Sequence, residues 1–378
     1  MPDYEALRLI WWLLLGVLLI GFAVTDGFDL GVAAIFRFVG RSHDERDALI
    51  ESIEPVWEGN QVWLVLGAGA AFAAWPMLYA AAFSSFYFAM FLLLAALIVR
   101  PVGFAFRGKV DDRKWRAVWD WVLCVAGLVS SFLFGVAFGN LFVGVAYHLD
   151  ALSRPVFTGG FFSLLHPFAL LCGAVSLSML VMHGASYAAM KVEAPMGVRA
   201  ARIGRIAALV VLAAFTVAGL WVATGIEGLR ITSVIDGNGP SDPLRKVVAA
   251  STGAWLDNYR AHPGLWLAPL IAYAGALGAV FASRAQAYRL AFIASGIAIA
   301  AIVLTAGIGL FPFLLPSATD HASSLTVWDA SSSRLTLSIM LIAVAIFLPL
   351  ILLYTTWVFR VLRGQVTLAH VREQRDHY

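Results

Sequence analysis

The chain has 378 residues, of which 61% are apolar and only 13% charged, against roughly 45–50% and about 25% in an ordinary soluble domain. With a mean hydropathy of +0.84, it carries more apolar surface than a water-soluble fold can hide, which excludes a soluble enzyme or binding module. A formal net charge of +3 suggests an acidic partner such as nucleic acid, but the placement of the basic residues marks membrane topology instead.

Taken in chain order, hydropathy predicts an all-α integral membrane protein with about nine crossing helices: 9–36, 58–75, 77–99, 118–145, 162–187, 205–226, 263–283, 290–316 and 336–359. Runs such as Ile206–Gly225 reach the ~20 residues needed to cross ~30 Å of hydrocarbon. Period-2 alternation is missing from them, which rejects an outer-membrane barrel. The first segment has no basic n-region and no small-residue cleavage site before Asp26, so it reads as a retained helix and not as a signal peptide.

The second segment is the weakest, because it is short, begins at Glu58 and is followed by Pro76; read as re-entrant it would leave eight spans and put Arg37, Arg41 and Arg46 outside, so the charge rule favours nine. Counting it as a crossing, with the N-terminus outside, puts 37–57, 100–117, 188–204, 284–289 and the tail from 360 on one side. With Arg205, these hold 19 of the 26 Lys and Arg residues, which places the C-terminus, about 360–378, in the cytoplasm. Pro76 then marks an outer turn. The loop 100–117 reads as a basic, lipid-facing collar. Small residues in GVAFGN (135–140) suit close helix packing. The long loop at about 227–262 contains IDGNGPSDP, whose residues demand turns, and reads as an external cap with a short amphipathic helix. Cys124 and Cys172 lie inside spans as small apolar side chains and suggest neither a disulfide nor a metal site. No linker divides the chain, so residues 1–378 form one membrane domain.

An ionisable side chain at membrane depth costs at least ~2.5–3.5 kcal/mol and needs a partner, a water cavity or an interface. Asp26 and Asp29 in TDGFDLG are spaced i, i+3 and share a helix face. Such a pair suits proton relay or cation binding; alternatively it lies at a helix end in water, with Gly27 and Gly31 serving close packing. In PVWEGNQVWL (55–64), Glu58, Asn60 and Gln61 interrupt an apolar setting between Trp57 and Trp63, with Glu54 one helical turn before Glu58. Glu58 could load protons into a buried wire, or the tryptophans are interfacial anchors and Glu58 a first-turn acid favoured by the helix dipole. Of the histidines, only His166 and His183 fall within a span. Their spacing puts them about 25 Å apart along a helix, so they cannot clamp one iron. His166, which precedes Pro167, reads as a capping or interface residue, and His183 either hydrogen-bonds a neighbouring helix or faces the inner interface. The polar cluster Asp320, Ser323, Ser324, Trp328, Asp329 and Ser331 to Ser333 reads as helix caps or a partner contact.

Seven segments taken together carry a resemblance: 3–29, 55–64 (PVWEGNQVWL), 71–82 (AFAAWPMLYAAA), 100–106 (RPVGFAF), 135–145 (GVAFGNLFVGV), 303–313 (VLTAGIGLFPF) and 325–336 (LTVWDASSSRLT). They are similar to the hallmark segments of the second subunit of cytochrome bd quinol oxidases, and the match runs nearly end to end.

The resemblance implies two four-helix bundles plus a peripheral helix in a bacterial inner membrane. It implies a partner, subunit I, that carries two b haems, haem d and the quinol-oxidising loop, and it leaves room for a small accessory subunit. The complex would oxidise quinol near the outer face and reduce dioxygen to water with cytoplasmic protons, building a proton-motive force. This chain would supply scaffold, part of the proton path, dioxygen access and a structurally bound quinone, with no haem ligand and no metal of its own. Carried residue by residue, Glu58 stands where the family often has Asp and is implicated in proton uptake, one methylene further from the backbone. Asp26 and Asp29 match the acidic pair of the first helix, Trp63 matches the tryptophan near the dioxygen entrance, and Trp57, Asn60 and Gln61 support the motif. The rival reading is a secondary transporter with intramembrane carboxylates.

Overall fold

The computed structural model describes residues 2–376; residues 377 and 378 of the expected cytoplasmic tail lie outside the described residues. We call the end where the first helix starts the upper end and the end where it finishes the lower end. Helix α1 (Tyr4–Val39) descends, and α2 (His43–Ile53) caps the lower end. Helix α3 (Trp57–Ala74) rises to α4 (Pro76–Ser85), and α5 (Tyr87–Arg107) returns. Then α6 (Arg113–Val143), α7 (Pro167–Lys191) and α8 (Met196–Thr224) alternate. The short upper helix α9 (Asp257–Ala261) precedes α10 (Leu267–Arg284), α11 (Tyr288–Leu310), α12 (Arg334–Val361) and the lower α13 (Leu368–Asp376).

Eight helices among the described residues have the length and apolarity to cross a membrane. The 18-residue α3 spans about 27 Å at 1.5 Å per residue, and it lies antiparallel to α1 through most of the slab. Asn60 meets Asp29, the Trp63 ring fills the space over Gly21, and Trp75 joins the buried cluster of Leu7 and Trp11. Helix α3 therefore runs beside α1 over the stretch where 58–75 was expected, although it is not among those eight. Helices α3, α1, α6 and α5 pack in sequence, while α7, α8, α10 and α11 close a ring. At the side lies α12, with only Leu337 buried, matching the two bundles and peripheral helix expected.

Small residues set the closest approach between the bundles. A Cβ on Gly31 would lie 2.0 Å from the Leu180 carbonyl oxygen, and one on Gly184 2.4 Å from the Gly31 carbonyl carbon. Backbone thus meets backbone, which only glycine permits. Gly135 and Gly139 of α6 face Cys172 and Ala169 of α7 in the same way, as GVAFGN predicts.

Several boundaries differ from the sequence reading. The expected span 77–99 breaks at Phe86 into α4 and α5, and α5 runs on through Pro101 to Arg107. Hence the expected collar 100–117 shrinks to the turn before α6. The apolar run Val102 to Phe106 continues the helix, and Arg100 and Arg107 tolerate their depth because each meets a carboxylate. Spans expected over 162–187 and 290–316 are trimmed to α7 and α11 by His166–Pro167 and Pro312, since a proline constrains itself and its predecessor. The upper end carries three antiparallel hairpins that hydropathy does not disclose. These are β1 (Tyr147–Leu149) with β2 (Pro155–Phe157), β3 (Glu227–Ile231) with β4 (Val248–Thr252), and β5 (Phe313–Leu315) with β6 (Leu325–Thr326). The external-cap loop therefore holds a hairpin beside its short helix α9.

Candidate functional site

Asp26 and Asp29 sit on one face of α1 with more than two helical turns of helix beyond them, so the reading that places them at a helix end in water is overturned. Both are 0% exposed. Arg100 of α5 donates from Nη2 to Asp26 Oδ1 at 2.7 Å, and Asn60 of α3 donates from Nδ2 to Asp29 Oδ2 at 2.8 Å. Arg100 and Asn60 are 1% and 2% exposed, so three helices close on the pair. The Trp57 ring centre lies 5.6 Å from the guanidinium carbon of Arg100, within cation–π reach. Four buried polar atoms here have no hydrogen-bond partner: Asp26 Oδ2, Asp29 Oδ1, and Nε and Nη1 of Arg100. Two carboxylates against one guanidinium leave the fully ionised group one negative charge in excess. A bound proton or cation would balance that excess.

Glu58 is not drawn into this cluster. It is exposed on the first turn of α3, on a stripe with Val62, Val65, Gly69 and Phe72. Nor is Glu54 its helical neighbour: α2 ends before Glu54, and a turn separates it from α3. Gln61 is half-buried, whereas Trp63 is buried against α1, where a Cβ on Gly21 would lie 2.5 Å from the indole. Of the predicted residues, the structure gathers Asp26, Asp29, Asn60 and Trp57 and leaves Glu58 on the outward face.

Arg100 is the residue that sequence reasoning missed. Its signal was present, because an arginine inside an apolar run needs a counter-ion and a buried acid needs a cation. Reading 100–117 as a basic loop hid it. Arg107 was missed in the same way. It donates from Nε to Asp120 Oδ1 at 2.6 Å, Arg46 donates to Asp120 Oδ2 at 2.6 Å, and Arg107 also pairs with Asp47. With Arg37 of α1 3.7 Å from Asp120 Oδ2, this network ties α1, α2, α5 and α6 at the lower end. Beside it Arg199 Nη2 meets Glu45 Oε2 at 2.7 Å, and Glu45 also accepts from the backbone N–H of Arg41 at 2.6 Å. Burial raises the Glu45 pKa, but these donors outweigh burial and leave it below the usual glutamate value.

The two span histidines are otherwise occupied. His166 caps α7 by accepting from the Phe168 N–H at Nδ1, at 3.2 Å. The buried His183 places Nδ1 2.7 Å from Ser295 Oγ and Nε2 3.0 Å from the Val24 carbonyl oxygen. Both ring nitrogens of His183 are thus engaged within the chain. No cluster of three or more His, Cys, Asp or Glu suited to a metal ion occurs among the described residues.

A cavity of about 440 Å³ opens between the bundles, lined by Phe22, Phe134, Phe168, Met179, Phe215 and Ile302 among others. Its polar groups are few, and Thr216 and Tyr273 on its wall hydrogen-bond each other at 2.8 Å. The cavity suits a long apolar chain with a small polar head.

Residues 7–362 match the family described as cytochrome bd terminal oxidase subunit II. The chain is 48% identical over 377 residues to cytochrome bd-I ubiquinol oxidase subunit 2 of Escherichia coli K12, covering 100% of this chain and 99% of the relative. It is 47% identical over 366 residues to a probable cytochrome oxidase subunit 2 of Haemophilus influenzae, covering 97% of each. Among solved structures, a chain of the bd oxidase from Geobacillus thermodenitrificans shares the fold, with a TM-score of 0.67 at 16% identity over 94% of this chain and 99% of that one. End-to-end identity, the family match and the shared helical architecture agree, and the chain belongs to the cytochrome bd terminal oxidase subunit II family.

Proposed function

We propose that this chain is the subunit of a cytochrome bd-type quinol oxidase that holds no haem ligand and conducts protons toward a haem-bearing partner. The observation that carries this reading is the sealed Asp26, Asp29, Arg100 and Asn60 cluster, a proton-holding group in a chain whose family reduces dioxygen. The haems, two b and one d in the partner subunit I, supply electron transfer from quinol and the reduction of dioxygen to water. The rival reading of a secondary transporter is not favoured by the family.

The lower end, rich in Arg37, Arg46, Arg107 and Arg199, faces the cytoplasm of a bacterial inner membrane by the positive-inside rule, and the N-terminus lies outside. Glu58, exposed at the lower end of α3, meets the partner and takes up protons there. Asp26 and Asp29 hold a proton at depth. Trp63 borders dioxygen access, and the apolar cavity accommodates a structural quinone, its tail against Phe134 and Met179. A small accessory subunit would sit on the lipid-facing surface.

The test is to purify the native complex with its partner and record its haem spectrum and quinol-dependent oxygen uptake, with and without this chain. Loss of uptake on removing the chain is expected. Undiminished respiration by an assembled partner lacking it, or substrate-driven uptake by this chain alone, overturns the reading.

A further inference from the structure

The two carboxyls of the buried cluster are not equivalent. Asp26 accepts a charge-assisted hydrogen bond from Arg100, whereas Asp29 accepts from the neutral amide of Asn60 and keeps Oδ1 without a partner. A guanidinium in contact stabilises the ionised form of a carboxyl more strongly than an amide does. Full ionisation would leave one negative charge uncompensated in a sealed, low-dielectric space, which requires a proton or a counter-ion.

The neighbours supply no second cation. His183 and Tyr187 of α7 are engaged elsewhere, with Ser295 and Val24 and with the Ser52 carbonyl oxygen respectively. Arg37, Arg46 and Arg107 gather on Asp120 at the lower end. From α3, Trp57 presents its ring to Arg100, and Glu58 points outward.

We propose that Arg100 is a positioning residue of the proton path: it holds Asp26 as its fixed anionic partner and leaves Asp29 as the one proton-carrying member of the pair. The inference rests on the reading of Asp26 and Asp29 as a proton-holding pair. It divides the labour between helices. The ion pair ties α1 to α5, while the proton-bearing carboxyl faces α3, the helix whose opposite face carries Glu58.

The test is infrared difference spectroscopy of the purified complex across reduction and reoxidation, in the carboxylic-acid C=O stretching region. Wild type is expected to show a protonated-carboxyl band that disappears in Asp29→Asn, where Asp26 keeps its pairing with Arg100; in Asp26→Asn the remaining Asp29 and Arg100 balance in charge, so the band weakens there. In Arg100→Gln, Asp26 loses its counter-ion and a second such band appears, which is absent again from the Arg100→Gln, Asp26→Asn double variant. Arg100→Lys keeps the charge and is expected to retain the wild-type spectrum. A band lost in Asp26→Asn and retained in Asp29→Asn overturns the assignment, and so does a spectrum indifferent to both substitutions. Should Arg100→Gln fail to assemble, the two aspartate variants decide the matter by themselves. The spectrum reports where the proton resides and turnover reports whether it moves, so failure of this assignment is distinguishable from failure of the proton-path reading.

Discussion

Asn60 of α3 donates to Asp29 of α1 across 2.8 Å, with both side chains buried. This bond joins the packing of Trp63 over Gly21 and of Trp75 against Leu7 and Trp11 in setting α3 against α1. Asn60→Leu is expected to leave Asp29 Oδ2 without its donor and to lower stability by about 1–3 kcal/mol. Thermal denaturation of the purified complex in detergent measures it, and a variant as stable as wild type removes the bond from any structural role.

Glu58→Gln is expected to lower oxygen consumption and proton uptake by about 100-fold, the low end of what a positioned proton-transfer group contributes. The haem spectrum stays unchanged, because the substitution keeps shape and removes only the titratable proton. Stopped-flow proton uptake checks it; wild-type turnover would take Glu58 out of the path.

Trp63→Ala empties the space over Gly21 and is expected to cost about 3–5 kcal/mol of stability. It should also change the apparent affinity for dioxygen more than that for quinol. Steady-state titration of both substrates separates the two, and the opposite pattern would place the tryptophan away from dioxygen entry.

Gly31→Ala should separate the bundles, because the new Cβ would lie 2.0 Å from the Leu180 carbonyl oxygen and 3.0 Å from the Gly184 Cα. Overpacking of this kind costs about 1–3 kcal/mol or more. The yield of assembled complex reports it. Gly16→Ala is the control, since nothing lies within 4 Å of its added Cβ, and equal losses from both would refute the close-contact argument.

Glu45 carries a pH prediction. Its folded pKa lies below the unfolded value, so its pairing stabilises the lower end above the ordinary glutamate pKa of ~4.3. That contribution is lost as pH falls through the lower, folded pKa. Melting temperature should therefore fall on acidification through this window, and fall less steeply in Glu45→Gln. Identical pH profiles would show that the Arg199 pair contributes nothing.

The sequence by itself determined membrane class, helical architecture, most crossings and family, because a span announces itself through an unbroken apolar run whatever surrounds it. It also put Asp26 and Asp29 on one helix face and offered capping as one of two roles for His166, as local spacing and a following proline suffice for these. The tertiary structure alone decided that Arg100 partners Asp26, residues 74 positions apart in the chain, that Glu58 faces away from both aspartates, and that α5 runs past Pro101. Hydropathy counts a charged residue as a break in a span, whereas folding judges it by whether an opposite charge on another helix meets it. That meeting depends on how α1, α3 and α5 pack in three dimensions, which no local pattern records.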